Sequence, residues 1–384
     1  MKHFQTILKS FSISGNLNSI RNGDEIMDIK FEEAKTLKEK PTGALGFGKI
    51  YTDYMFIADY DADQGGWHDA RIVPFGPIEL SPASMVLHYA QETFEGLKAY
   101  RTKDGVIQLF RPEMNARRFM NSNERLSMPK VPEDMFIDAV KALVEVEKDW
   151  VPNEEGESLY IRPYMFATEA SVGVHPATSY KFVIICSPVG AYYPEGVNPV
   201  KIWVEDEYVR ATPGGTGFTK CGGNYAGSLK AQEKAEEQGY TQVLWLDGVH
   251  KKYVEEVGSM NAMFVFGNTI VTAPIDGTVL PGVTRDSIIH LLKDWGYTVE
   301  ERHMPIDELM EGAKNGKLTE AFGTGTAAVI SPIGELCFKG EKAVINDFKT
   351  GDLTQKLYDT LTGIQWGNVE DPFGWTQEVV RIQE

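Results

Sequence analysis

The segment Gly214-Gly-Thr-Gly-Phe-Thr-Lys-Cys-Gly-Gly-Asn-Tyr-Ala-Gly227 holds six glycines in fourteen residues, against 37 in the whole chain of 384. Glycine at that density lets a backbone approach a ligand closely. Lys220 lies at its centre and is not the lysine of a Walker loop, because Thr219 precedes it and Cys221 follows, where that loop needs Gly and then Ser or Thr. Burial in a tight apolar pocket favours the neutral form of a lysine amine, and a neutral amine condenses with an aldehyde to a Schiff base. Taken alone, the segment also reads as a surface lysine on a flexible glycine loop. Further on, Tyr253-Val-Glu-Glu-Val-Gly-Ser-Met-Asn261 carries an acid directly before Val-Gly. A carboxylate suits the ring nitrogen of a pyridine cofactor, since the protonated ring is the better electron sink, and Glu256 is the candidate. Strand alternation allows one of the adjacent pair to point inward, which leaves Glu255 as a solvated edge residue.

Three other segments carry weaker signals. Leu280-Pro-Gly-Val-Thr284 runs straight into a helical pattern, so the amides of Val283 and Thr284 fall at a helix N-terminus, a ready phosphate site, although an ordinary capped turn looks the same. Phe322-Gly-Thr-Gly-Thr-Ala-Ala328 matches the G-x-G-x-x-A dinucleotide fingerprint and would support a nicotinamide oxidoreductase. Its context fails, because Val329, Ile330 and Pro332 continue as strand or loop and not as a long helix. In Phe110-Arg-Pro-Glu-Met-Asn-Ala-Arg-Arg-Phe119, Arg118 offers a fork for a phosphate or, as a lone arginine, for a surface ion pair. The seven histidines show no HExxH or other ligand spacing, which disfavours a catalytic metal.

These residues need elements to hold them. Apolar positions Phe136, Val140, Leu143 and Val144 recur at three and four within Glu133 to Val151, predicting a helix, and Arg285 to Trp295 predicts another that Gly296 ends. Strands are predicted at Ser158 to Phe166, Lys181 to Ser187, Val200 to Val204 and Gln242 to Asp247, and a hairpin at Met263 to Phe266 and Thr269 to Thr272 about Gly267-Asn268. The class is α/β or mixed α+β, with no internal repeat. Two prolines and two glycines between Gly190 and Pro199 mark a linker, which divides the chain into a dispensable extension at 1–26, a domain at 27–189 and a second at 200–384.

Composition narrows the function classes. A net charge of −17 repels nucleic acid and anionic membrane surfaces, which need clustered Lys and Arg. Three cysteines, Cys186, Cys221 and Cys337, form no CxxC and no disulfide framework, which fits a reducing cytoplasm. No stretch approaches the roughly 18 apolar residues of a membrane span. Lys2, Lys9 and Arg21 with no acid before Asp24 leave an organelle-targeting reading open.

In that order and number, Phe47-Gly with Thr52-Asp, Phe94-Glu-Gly-Leu-Lys-Ala, Ser158-Leu-Tyr-Ile-Arg-Pro, the glycine-lysine segment, Glu256-Val-Gly-Ser-Met-Asn, Leu280-Pro-Gly-Val-Thr-Arg and Phe322-Gly-Thr-Gly-Thr-Ala resemble the branched-chain aminotransferases. These are pyridoxal-phosphate (PLP) enzymes of fold type IV, the D-amino-acid-aminotransferase-like fold. The likeness runs from about Phe47 to Gly367. It implies a smaller N-terminal α/β domain, a larger C-terminal pseudo-barrel domain and a homodimer with the cofactor between domains. Lys220 becomes the Schiff-base lysine and proton shuttle, Glu256 the partner of the pyridine nitrogen, and Tyr225 that of the ring hydroxyl. Arg118, Arg210, Gly282, Val283, Thr284 and Thr326 would hold the phosphate, Leu280 would back the ring, and Ser259 would support its polar edge. Tyr89, Thr326 and Ala327 would receive the α-carboxylate of the substrate. Phe47, Phe94, Tyr160, Tyr192 and, from the second subunit, Val172 and Val174 would wall its side chain. Arg162 would answer the side-chain carboxylate of glutamate. Leu, Ile or Val would thus exchange an amino group with 2-oxoglutarate. D-amino-acid transamination and aminodeoxychorismate lyase chemistry are the alternatives within the fold, and a catalytically silent PLP-binding protein is the alternative outside enzymes. Mammalian members carry a redox-responsive CxxC where this chain has Ala328 and Ser331, so that switch is expected to be absent. Ser259 stands where several relatives have threonine.

Overall fold

The computed structural model describes residues 19–23, 25–190 and 197–382. The chain divides into two compact units, Met1–Gly190 with Asp371–Glu384, and Ala191–Glu370. Tyr192 lies outside the described residues.

The first unit is built on a nine-stranded sheet in the order Thr376–Arg381, Val106–Phe110, Leu97–Arg101, Ser158–Ala167, Ser179–Val189, Tyr54–Asp61, Gly66–Pro74 and Lys30–Phe31, with Glu92–Phe94 also paired to Ser158–Ala167. Helix Glu133–Val146 follows Pro132 and opens with two acids, which suits the positive end of its dipole. It buries Phe136, Val140, Leu143 and Val144 in a core shared with Phe56, Phe119 and Phe182. A short turn at Lys148–Trp150 ends the expected helix a few residues early.

Two expectations about this unit fail. The fold does not begin near Met27: Ser19–Asn22 pairs with Glu25–Asp28, and Ile20 is fully buried in the core. Nor does the second domain run to the C-terminus, because Thr376–Arg381 returns to pair antiparallel with Val106–Phe110. With that tail, the first unit is not the smaller of the two.

In the second unit, Val254–Val257, Gln242–Leu246, Val200–Glu205, Val329–Phe338, Glu320–Gly325 and Met260–Phe266 pair in sequence, and the last pairs back to the first. Six strands therefore close a barrel-like sheet. Thr269–Thr272 and Thr298–Glu301 extend it from Met260–Phe266, and Glu341–Val344 pairs with Val329–Phe338. Gly267 adopts φ 62° in the hairpin turn, where a side chain would be strained. The G-x-G-x-x-A segment forms a strand and a turn into an antiparallel partner, with no helix for a dinucleotide phosphate. Val254–Val257 is buried at all four positions. This corrects the solvated place expected for Glu255, which is 5% exposed against 2% for Glu256: alternation sends the two to opposite faces, and both faces are covered. No described helix is long and apolar enough to cross a membrane.

Candidate active site

Lys220 ends the glycine loop and is followed by the short helix Gly222–Ala226. That helix brings the Tyr225 hydroxyl to 3.0 Å from Lys220 Nζ. Asn224 of the same turn secures the loop. Its Nδ2 donates to the carbonyls of Thr216 and Thr219 at 2.8 and 3.0 Å, and its Oδ1 accepts the Thr216 hydroxyl at 2.7 Å. The amine is thus placed by a backbone that a neighbouring side chain holds rigid.

Glu256 sits in a closed web. Its Oε2 pairs with Arg210 Nε at 2.9 Å, and its Oε1 accepts the Leu280 N–H at 2.7 Å and Asn261 Nδ2 at 3.5 Å. Asn261 lies directly across the hairpin from Glu256 and also donates to the Leu280 carbonyl at 2.9 Å. A side chain at Gly282 would come within 2.0 Å of Asn261 Oδ1, so only glycine fits there. Arg210 was expected on a phosphate. The structure gives its Nε to Glu256, its Nη1 to the Thr278 carbonyl at 2.7 Å and its Nη2 to the Gly217 carbonyl at 3.0 Å. Gly217 allows this approach, since a Cβ there would stand 2.3 Å from Thr278 O. The guanidinium is a brace for the carboxylate.

A cavity of about 240 Å3 opens among Tyr225, Glu256, Arg210 and Ser259. Val283 and Thr284 form the first turn of helix Val283–Asp294, whose cap residue Gly282 supplies no side-chain acceptor. Its first amides keep the anion-binding character of an N-terminus. Thr326 and Ala327 are half-buried in the turn after Glu320–Gly325. An amine beside a phenol, a fixed carboxylate and an uncapped helix start suit a pyridine aldehyde phosphate.

The first unit holds the other expected residues in three groups. Phe47 meets Tyr160 edge-on at 5.0 Å, Arg162 Nη2 donates to the Tyr160 hydroxyl at 2.9 Å, and the Arg162 guanidinium carbon lies 4.7 Å from the centre of the Phe94 ring. Two aromatic rings therefore face one cation, and a third, Phe47, packs on one of them. Separately, the Tyr89 hydroxyl donates to the Val172 carbonyl, and Val172 and Val174 are 70% and 82% exposed. Arg118 is buried with its Nε and Nη2 on the two Glu95 oxygens at 2.7 and 2.8 Å, and Asn115 Nδ2 joins Glu95 at 2.8 Å. Glu95, Asn115, Asn224 and Asn261 escaped the sequence reading. Of these, Asn261 alone left a usable signal, its position opposite Glu256 across a Gly-Ser turn.

This fold and this constellation are those of a class IV aminotransferase. The class IV aminotransferase model matches residues 92–336, and the chain belongs to that family, which works with PLP. It is 55% identical over 357 residues to branched-chain-amino-acid aminotransferase 2 of Bacillus subtilis strain 168, covering 93% of this chain and 98% of that protein. A probable branched-chain-amino-acid aminotransferase of Staphylococcus aureus strain MRSA252 is 58% identical over 349 residues, 90% of this chain and 97% of that one. Among solved structures, the branched-chain amino acid aminotransferase of Escherichia coli superposes with a TM-score of 0.72 at 27% identity, over 85% of this chain and 99% of that one.

Proposed function

We propose that this protein exchanges the amino group of leucine, isoleucine or valine with 2-oxoglutarate, giving branched 2-oxo acids and glutamate. The observation that carries this reading is the near-full-length likeness, at 55% identity and above, to proteins of that name. PLP supplies an electrophilic carbon and an electron sink when bound. Lys220 Nζ would tether it and carry the proton of the exchange, while the Tyr225 hydroxyl at 3.0 Å orients that nitrogen. Glu256 keeps the ring nitrogen protonated, and Arg210, Asn261 and the Leu280 N–H keep Glu256 in place. Val283 and Thr284 bind the phosphate through their amides. Thr326, Ala327 and Tyr89 receive the α-carboxylate, Phe47, Phe94 and Tyr160 accept the apolar side chain, and Arg162 receives the distal carboxylate of glutamate. The exposed Val172 and Val174 are covered by a second copy in a homodimer, and three buried, unpaired cysteines support a cytoplasmic location.

The test is direct. Protein mixed with leucine and 2-oxoglutarate yields glutamate and 4-methyl-2-oxopentanoate in equal amounts, and Lys220→Ala yields none. Absence of glutamate from the PLP-loaded wild type, or turnover of D-amino acids in preference to leucine, overturns the reading.

A further inference from the structure

Phe47 reaches Tyr160 from a long irregular stretch of chain. From Glu32 to Asp53 the first unit forms no helix and no strand, and a connection of that length is uncommon in a compact unit unless function requires it. Phe47 lies between Gly46 and Gly48, whose φ angles of 63° and 67° belong to the left-handed region that glycine enters without steric cost. No atom stands within 4 Å of a Cβ built at either glycine, so backbone conformation and not space calls for glycine at both. The residues on either side of the ring are therefore the most easily rotated in the loop, and Phe47 itself is 37% exposed. Tyr160, by contrast, is held by its ladder partners Lys98 and Ser187 and by the Arg162 guanidinium at 2.9 Å.

Two hydrogen bonds hold the loop, one on each side of the ring. The Gly46 carbonyl accepts the Gly190 N–H at 3.0 Å, a backbone contact that any residue at 190 except proline can make. The Gly48 carbonyl accepts the Tyr51 hydroxyl at 3.0 Å, and this bond depends on a side chain. Tyr51 is itself well placed. Its ring stacks on Phe75 at 4.9 Å with the planes 8° apart, and the Phe75 N–H donates to the Asp53 carbonyl at 2.8 Å. The next residue, Thr52, is fully buried and gives its N–H to the Cys186 carbonyl at 3.1 Å. The Asp53 carboxylate accepts the Lys38 N–H and the Trp150 indole N–H, both at 2.7 Å. The phenol thus stands on an anchored segment and reaches back three residues to the glycine that follows Phe47.

We propose that Tyr51 is a positioning residue: its hydroxyl fixes the Gly48 carbonyl and so holds the Phe47 ring edge-on to Tyr160, 5.0 Å away, where the two rings close on the branched end of the substrate. Without that bond Gly48 is free to turn, and affinity falls by the fraction of time the ring spends out of place. Tyr51 touches neither substrate nor cofactor in this role and acts through Phe47 alone. It has the role only if Phe47 walls the substrate pocket, as proposed above.

Calorimetric titration of the PLP-loaded protein with 4-methylpentanoate, which is leucine without its amino group, tests the role without any turnover. Propanoate, with the same carboxylate and no branched end, is the control. Tyr51→Phe keeps the ring on Phe75 and removes only the hydroxyl. It is expected to weaken 4-methylpentanoate about two- to tenfold, the value of one partly exposed hydrogen bond, and to leave propanoate unchanged. In a Phe47→Ala background, Tyr51→Phe is expected to change neither, because the ring it acts through is gone. Three results overturn the role of Tyr51: equal weakening of both acids, an undiminished effect of Tyr51→Phe in the Phe47→Ala background, or wild-type affinity for 4-methylpentanoate in Tyr51→Phe. Failure of the wild type to bind 4-methylpentanoate overturns the substrate reading, and the role of Tyr51 with it.

Discussion

Replacing Arg162 by methionine separates the two substrates that one pocket must accept. An apolar wall rejects the distal carboxylate of glutamate through its desolvation cost, so a cation must answer it. In the structure the Arg162 guanidinium stacks over Phe94 at 4.7 Å and over Tyr160 at 5.3 Å, and spends Nη2 on the Tyr160 hydroxyl. Its Nε is buried with no acceptor among the described residues, which leaves donor capacity for a carboxylate. Methionine keeps a flexible apolar stem of similar reach against both rings, so the packing that serves leucine survives. What disappears is a hydrogen bond between charged groups, about 1.5 to 3 kcal/mol. At about 1.4 kcal/mol per decade, this corresponds to a loss of roughly 10- to 150-fold in the glutamate half-reaction. The leucine half-reaction is expected to change by less than about threefold, the scale of a conservative apolar swap. Single-turnover absorbance measurements with each amino acid give the two rates separately. Equal losses for leucine and glutamate would show that Arg162 only supports Tyr160, and would refute the argument.

Glu256→Gln loses the charge and, with one acceptor oxygen in place of two, keeps a partner for Arg210 or for the Leu280 N–H but not for both, so the protein is expected to turn over at least tenfold more slowly; near-normal turnover would assign the ring nitrogen to another group. Burial pushes the Glu147 carboxyl up to about 7 from 4.5, although the Tyr54 N–H at 2.5 Å draws it back. A raised carboxyl stabilises the fold below the unfolded value and loses that contribution as pH rises through the folded one, so urea stability is expected to fall between pH 4.5 and 7 by on the order of 3 kcal/mol from this group. Glu147→Gln removes that part of the slope, and parallel pH profiles for the two proteins would refute the assignment. All three cysteines are buried and unpaired, and Ala328 and Ser331 stand where a thiol pair would be, so mild peroxide is expected to leave transamination unchanged; reversible inactivation abolished by Cys221→Ser would locate a sensitive thiol beside Lys220.

Lys220, Tyr225 and Glu256 were legible because their chemistry is local: a glycine-rich loop, a turn that returns to it, and an acid before Val-Gly. The helix that carries Val283 and Thr284 was legible from its period. The partners of Arg210 and Arg118 were not, since Glu256 and Glu95 lie 46 and 23 residues away and meet them only through the tertiary fold. Glu255 misled the strand rule. Alternation gave two faces correctly, but a strand in a closed sheet with a covered outer side has no solvated face. Ile20 and the strand Thr376–Arg381 were missed for a related reason: short terminal segments carry little periodicity, and what places them is pairing with distant strands.

The return of Thr376–Arg381 to the first unit also sets an order of assembly during synthesis. Gly190 leaves the ribosome long before Asp371, and the 180 residues between them take roughly 10 to 40 s at ordinary elongation rates. Throughout that interval Val106–Phe110 is an open sheet edge, and its last residue Phe110 and the following Arg111 lack Trp375, which later packs against both. The second unit can close its ring of strands while the first still waits for its last one. An unfinished edge on a nascent chain is a place for chaperones or for mispairing with another copy. Translation that stops before the final fourteen residues thus leaves the barrel whole and the earlier-made half incomplete.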